Sequence, residues 1–344
     1  MTTMETLFGL ITFNVSNGLV LPISIVLFVL GLVLLIFGGD WFVDGAVAIA
    51  KKFGIPDLLI GATVVSIGTT LPEVMVSAGG AVGGSGSMAY GNAIGSIICN
   101  TALISAITIT FAPGVTDKKS LKIPAIFFFG SAILYAAVAL ITGEFSRIIG
   151  IILLAIFAVY IGLQIKSALA SKNAPVDEEL EDAESMSTGK AIGLLILGAA
   201  TIAIGADLLV DNGTLIAEKV GVPETVIALT FVALGTSLPE LVTAITSLKK
   251  GHGALSLGNV VGANLFNLVL VSGLSVTLAP FAVPTAKTIG GLNASFVVDL
   301  PVMFAVMLLM TVPALSKGKL YRWQGIALLC IYAAYCAFQF IPTV

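Results

Sequence analysis

The sequence predicts an all-α integral membrane protein whose ten transmembrane helices form two inverted five-helix repeats with broken helices. Three observations carry that prediction. Residue usage suits lipid: 58% of the chain is hydrophobic, 10% is charged and mean hydropathy is +1.10. The apolar stretches are long and continuous, without the alternation of a membrane β-barrel. Finally, "IGTTLPEV" at 67–74 returns almost unchanged as "LGTSLPEL" at 234–241.

A helix needs about 20 apolar residues to cross the hydrocarbon core. By that rule the spans fall near 20–39, 57–82, 88–111, 122–142, 147–166, 190–210, 224–248, 254–281, 293–313 and 322–341. Thirteen of the sixteen Lys and Arg residues then lie on one side, leaving Arg147, Lys219 and Lys287 on the other. The bias of basic residues toward the cytoplasm therefore places both termini outside it, in a cell-membrane protein. The segment before the first span has no Lys or Arg, so it lacks the basic start of a signal peptide and reads as a retained N-terminus.

The chain divides into an N-terminal repeat (1–170), an acidic cytoplasmic linker (171–189) and a C-terminal repeat (190–344). Asp177, Glu178, Glu179, Glu181, Asp182 and Glu184 make the linker a solvated connector. Cys99, Cys330 and Cys336 sit in apolar runs and read as packed thiols, with neither disulfide nor zinc spacing. The net charge of −3 and scattered basic residues exclude a nucleic-acid partner, and no cofactor pattern appears. The lipid bilayer is the partner the composition implies.

Residues 40–100 align with 207–267 at a constant offset of 167, with 22 of 61 positions identical. Five spans per copy is an odd number, so the second copy enters the membrane from the opposite side. Inverted repeats of this kind mark secondary transporters, with the binding site near the midplane.

The chemistry concentrates where the copies agree. Pro72 and Pro239 lack an amide hydrogen, so each breaks its helix and frees the carbonyl of Gly68 or Gly235. Bare backbone carbonyls survive at membrane depth only where protein, water or an ion satisfies them. Thr69 and Thr70 precede Glu73 by four and three residues, as Thr236 and Ser237 precede Glu240, so wherever the turn stays helical their hydroxyls share the carboxylate's face. Asn92, Ser96 and Asn100 recur every fourth residue on the next helix, as do Asn259, Ala263 and Asn267. Gly91, Gly95, Gly258 and Gly262 allow close backbone approach there. Every donor is an oxygen, which suits hard cations such as Ca²⁺ and Na⁺. Glu73 and Glu240 together supply a formal charge of −2, enough to balance one Ca²⁺.

Proline kinks and small-residue faces also arise from packing alone, but ionisable residues inside a span are costly and mark function. Asp40, Asp44, Asp207 and Asp211 are read as interfacial or capping residues at span ends, and His252 as a solvated loop residue.

At these residues the chain resembles the sodium/calcium exchangers of the cation/calcium exchanger superfamily, prokaryotic type. "GTTLPE" with "GNAIGSIICN" and "GTSLPE" with "GNVVGANLFN" look like that family's paired alpha-repeats. The resemblance covers essentially the whole chain. It implies a secondary active antiporter, not an enzyme, exchanging several Na⁺ for each Ca²⁺ by alternating access, with the first and sixth helices sliding across the rest. It implies Glu73 and Glu240 as central Ca²⁺ ligands shared with Na⁺. Oxygens of Ser66, Thr69, Thr70, Ala233, Thr236 and Ser237 would complete the sites, with Asn100 and Asn267 at the cage and Ser96 in a sodium site. Two positions depart from the family. Ala263 replaces a serine common in relatives, and Asn267 stands where the potassium-dependent branch carries aspartate, which implies exchange indifferent to K⁺. A Ca²⁺/H⁺ antiporter is the alternative within the superfamily, followed by a cation channel; an intramembrane aspartyl protease built on Asp40 and Asp207 ranks last.

Overall fold

The structure is a computed structural model that describes residues 2–6, 11–15, 18–55, 57–114, 116–171, 186–219, 233–285 and 287–339. The acidic connector and the start of the span expected at 224–248 lie outside these residues. Helices dominate because backbone amides and carbonyls in hydrocarbon must bond within their own segment. Seven helices among the described residues are long and apolar enough to cross a membrane. Helix also covers the described parts of the other three expected spans, 57–82, 233–249 and 322–339. A short antiparallel hairpin pairs Thr2–Thr6 with Ile11–Val15.

Helix α1 (Val20–Phe53) is followed by α2 (Asp57–Ile60), a π-turn at Gly61–Val65, α3 (Ser66–Thr69) and α4 (Leu71–Val82). Then come α5 (Gly86–Cys99), a π-turn at Asn100–Ser105, α6 (Ala106–Phe111), α7 (Lys118–Thr142) and α8 (Arg147–Ser171). The second copy opens with α9 (Thr188–Lys219) and resumes with α10 (Ala233–Thr236), α11 (Leu238–Lys249) and α12 (Gly253–Phe266). A π-turn at Asn267–Val271 leads into α13 (Ser272–Leu278). A further π-turn at Ser295–Asp299 opens α14 (Leu300–Lys317), and α15 (Arg322–Gln339) follows.

Helices α1 and α9 form an antiparallel pair along most of their length. Glycines make the approach possible: a methyl group on Gly38 would come within 2.9 Å of Ile202 N, and one on Gly198 within 2.6 Å of Phe42 N. Both helices outrun the spans expected at 20–39 and 190–210. Asp40 and Asp44 are therefore interior helical residues, so of the interfacial and capping roles expected for them the capping one falls away: a charge ends the apolar run without ending the helix. One turn apart, they share a face and pair with Lys250 at 3.4 and 2.8 Å. Asp207 and Asp211 are likewise interior to α9. The helix stops instead at Gly54, whose φ of 60° suits a residue without Cβ.

The larger apolar core joins α5–α8 with α12–α15 around Phe128, Tyr135, Tyr160, Phe266 and Met307. A smaller one seats α1 and α9 against Ile60, Val65 and Leu255. Cys99 is buried as expected, but Cys330 is exposed, on the outer face of an apolar helix. His252 is half-buried rather than solvated, and its amide closes a turn onto Ser247 O at 2.7 Å.

The first copy's interrupted segment is wedged against α12 through glycines. A Cβ on Gly61 would lie 2.8 Å from Asn259 N, and one on Gly262 2.7 Å from Ala62 Cα. Tyr160 OH, held by Gln164 Nε2 at 3.0 Å, donates to Ala62 O at 3.0 Å and so caps a carbonyl that the π-turn leaves spare. These contacts fix the two copies' motifs face to face.

Candidate cation site

Each copy breaks its helix one residue before the leucine-proline pair. Thr70 (φ −83°, ψ −1°) separates α3 from α4, and Ser237 (φ −88°, ψ 4°) separates α10 from α11. Proline fits the first turn of a new helix, where no amide donor is needed, so the break falls upstream of it. The interruption is narrow: Thr70 N still donates to Ser66 O at 3.0 Å, and Val74 N to Thr70 O at 3.1 Å. Its effect is to set Glu73 and Glu240 in the first turns of α4 and α11. There the positive end of a helix dipole favours an anion. Both glutamates are fully buried and close enough to interact electrostatically.

The hydroxyls cross between copies. Thr69 Oγ1 donates to Asn259 Oδ1 at 3.2 Å, and Thr236 Oγ1 donates to Asn92 Oδ1 at 2.9 Å. Thr69 and Thr70 lie beside the carboxylate of Glu240. The shared face with Glu73 was expected only along an unbroken helical turn, and the break falls at Thr70, so the first copy's two hydroxyls stand next to the carboxylate of the other copy. Ser66 Oγ reaches Gly61 O at 2.7 Å and Asn259 O at 2.9 Å. Asn92 Nδ2 donates to Ser77 Oγ at 2.8 Å and approaches Glu73 O at 3.4 Å.

Asn100 and Asn267 are both fully buried and each opens a π-turn, a local widening that recurs at functional sites. Ser96 is buried one turn before Asn100, and Ser237 sits near the Cys99 thiol. Ala233 contributes the backbone that starts α10. Among the described residues, no hydrogen-bond partner reaches either carboxylate oxygen of Glu73 or Glu240, or either amide atom of Asn100 or Asn267. The same holds for the hydroxyls of Thr70, Ser96 and Ser237. Each buried polar group left unsatisfied costs about 1–3 kcal/mol, and a charged one costs more, so a set this dense suits a bound cation. Among the described residues no three His, Cys, Asp or Glu side chains gather as a metal cluster. Two carboxylates among neutral oxygens match a hard cation, not a zinc-like one.

Asn92 and Asn259 carry more of this geometry than their sequence reading gave them, although their repetition was a usable signal. Ser77 gave none, because its counterpart is Ala244. In consequence Asn259 Nδ2 has no partner among the described residues, whereas Asn92 Nδ2 has Ser77. We expect Ala244→Ser to supply that partner and raise stability by about 1 kcal/mol. Thermal unfolding in detergent measures it; an unchanged or lower midpoint would show that residue 244 does not face Asn259.

A helical membrane protein that buries two carboxylates among neutral oxygens fits the class of membrane cation transporters. A family model described as sodium/calcium exchanger protein matches residues 23–166 and 190–341, and the chain belongs to that family. It is 30% identical over 359 residues to the sodium/calcium exchanger MaX1 of Methanosarcina acetivorans, covering 93% of this chain and 99% of that one. It is 35% identical over 305 residues to the uncharacterized membrane protein MJ0091 of Methanocaldococcus jannaschii, covering 89% and 94%. Among solved structures it matches the sodium-calcium exchanger NCX_Mj soaked with Na⁺ and Sr²⁺ with a TM-score of 0.78 and 31% identity, covering 94% of this chain and all of that one.

Proposed function

We propose that the protein is a secondary active antiporter exchanging Na⁺ for Ca²⁺ across the cell membrane by alternating access. Its ten transmembrane helices act as two inverted repeats, 1–170 and 190–344, with the termini outside the cytoplasm and the acidic linker inside. One observation carries the reading: two fully buried carboxylates, one from each copy, lie close enough to interact electrostatically, with no hydrogen-bond partner for any of their four oxygens among the described residues.

Glu73 and Glu240 hold Ca²⁺ or share their charge among Na⁺ ions. Oxygens of Ser66, Thr69, Thr70, Ala233, Thr236 and Ser237 complete the coordination, with Asn100, Asn267 and Ser96 closing the cage. Because donors come from both copies, relative movement of α1 and α9 across the remaining helices exposes the same cage to one side or the other. The neutral amide of Asn267 adds no charge for a co-transported K⁺.

Vesicles loaded with Na⁺ test this. Diluted into Na⁺-free medium, they accumulate radiolabelled Ca²⁺, and uptake responds to membrane potential if more than two Na⁺ leave per Ca²⁺. Uptake driven by a pH gradient and indifferent to Na⁺ would assign the Ca²⁺/H⁺ alternative. Large conductance without coupling to either gradient would assign a channel.

A further inference from the structure

A second set of buried polar groups lies outside the cage. Helix α11 carries Glu240, Thr243 and Ser247 at positions i, i+3 and i+7, all fully buried and all on one face. Helix α12 adds Ser256, 1% exposed, and the π-turn after α5 adds Ser105, 2% exposed. Among the described residues none of these four hydroxyls has a hydrogen-bond partner.

Other helical hydroxyls among the described residues do find a partner. Thr101, Thr108, Thr110, Thr201, Thr277 and Thr311 all fold back to the carbonyl four residues earlier, at 2.6–3.0 Å. Ser105 shows the contrast most directly. Its counterpart Ser272 donates to Asn267 O at 2.9 Å across the equivalent π-turn, whereas Ser105 leaves Asn100 O and lines a cavity instead.

The cavity measures about 300 Å³ and lies where α6 and α12 meet Ala112, Gly114, Thr116 and Asp117. Exposed Asp117 and Ala254 form its outer end, and buried Ser105 and Ser256 its floor. Helices α11 and α12 are joined by the short 250–252 turn, and Ala244 packs against Val260 and Ile104. Stepping 1.5 Å per residue from that contact places Thr243 beside it, Ser105, Ser247 and Ser256 about 1.5, 4.5 and 6 Å away toward the 250–252 turn, and Glu240 about 6 Å away on the other side. The hydroxyls thus form a ladder from the cavity floor to the Glu240 carboxylate. In the first copy the matching positions are Val76, Gly80 and Ala89, so the ladder belongs to one copy only.

Resting on the exchanger reading above, we propose that this cavity is the cation entrance from the lysine-rich side. Ser105, Ser256, Ser247 and Thr243 hand a partly dehydrated Na⁺ or Ca²⁺ to Glu240. Asp117 supplies negative charge at the mouth. Hydroxyl oxygens replace part of the ion's water shell without trapping it, as a passage requires. Because all four hydroxyls are buried, the ladder is closed between cavity and cage in this conformation.

Single cysteines at Ser105, Ser256, Ser247 and Thr243 test the proposal, introduced into a parent with Cys99, Cys330 and Cys336 replaced by alanine. Exchange by the parent in proteoliposomes tests the functional reading separately. In variants that retain exchange, a charged, membrane-impermeant methanethiosulfonate added on the lysine-rich side should react fastest at Ser105→Cys and Ser256→Cys. It should react more slowly at Ser247→Cys and Thr243→Cys, and block flux at each. A cysteine at Ser131, another buried hydroxyl without a partner but on α7, should stay unreactive. As a second reading, Thr243→Val should slow exchange from that side while leaving protein abundance and thermal midpoint unchanged. The proposal is overturned if Ser105→Cys and Ser256→Cys exchange normally yet resist the reagent, if they react only from the opposite side, or if Ser131→Cys reacts equally.

Discussion

Replacing either Glu73 or Glu240 with glutamine is expected to nearly abolish Ca²⁺ transport while leaving the protein folded and in the membrane. Glutamine keeps the size of the side chain and one of its oxygens, but removes one of the two charges in a cage that otherwise holds only neutral donors. A divalent ion drawn from water into this buried setting depends on both charges, because Coulombic attraction is least screened there. Both carboxylates are fully buried, so water cannot replace the missing charge. The measurement is Na⁺-driven Ca²⁺ uptake by each variant at matched membrane abundance. Near-normal uptake by Glu240→Gln would show that the cation is bound elsewhere.

The second large effect is expected at Asn92, which ties the two copies together without being a charged ligand. Its carbonyl oxygen accepts from Thr236 of the opposite copy, and its amide group serves Ser77 and the backbone of Glu73. Asn92→Leu keeps the volume and removes all three partners, leaving two buried hydroxyls unsatisfied at about 1–3 kcal/mol each. Both the thermal midpoint and Ca²⁺ uptake should therefore fall, because the hydroxyls that flank the cage lose their anchor. Thermal unfolding in detergent, paired with flux on the same preparation, separates the outcomes. Loss of flux at an unchanged midpoint would mean that Asn92 contacts the ion rather than supporting the cage.

The sequence made legible whatever depends on residue type and repetition. Among the described residues, the two proline-glutamate motifs, the asparagines that follow them and the apolar runs appear in helices interrupted or widened near the expected positions. What escaped was set by tertiary contact. Nothing local shows that Thr69 donates to Asn259 and lies beside Glu240, since spacing along one helix cannot reveal which neighbour a kinked turn faces. The run of α1 past Asp40 and Asp44 was equally hidden, because their pairing with Lys250 spans more than two hundred residues. Ser77 was invisible for a different reason: it works in only one copy, and the repeat that exposed the rest of the site is silent where the copies differ.

The central claim is that Glu73 and Glu240 hold one divalent cation jointly, between the two copies. Anomalous diffraction from crystals soaked in Sr²⁺, a scattering substitute for Ca²⁺, tests it most directly. A single strong peak is expected within coordination distance of both carboxylates, roughly 2.3–2.7 Å allowing for the larger ion, with hydroxyl or carbonyl oxygens from both broken helices around it. A peak bound to only one glutamate, or lying away from both, would contradict the account.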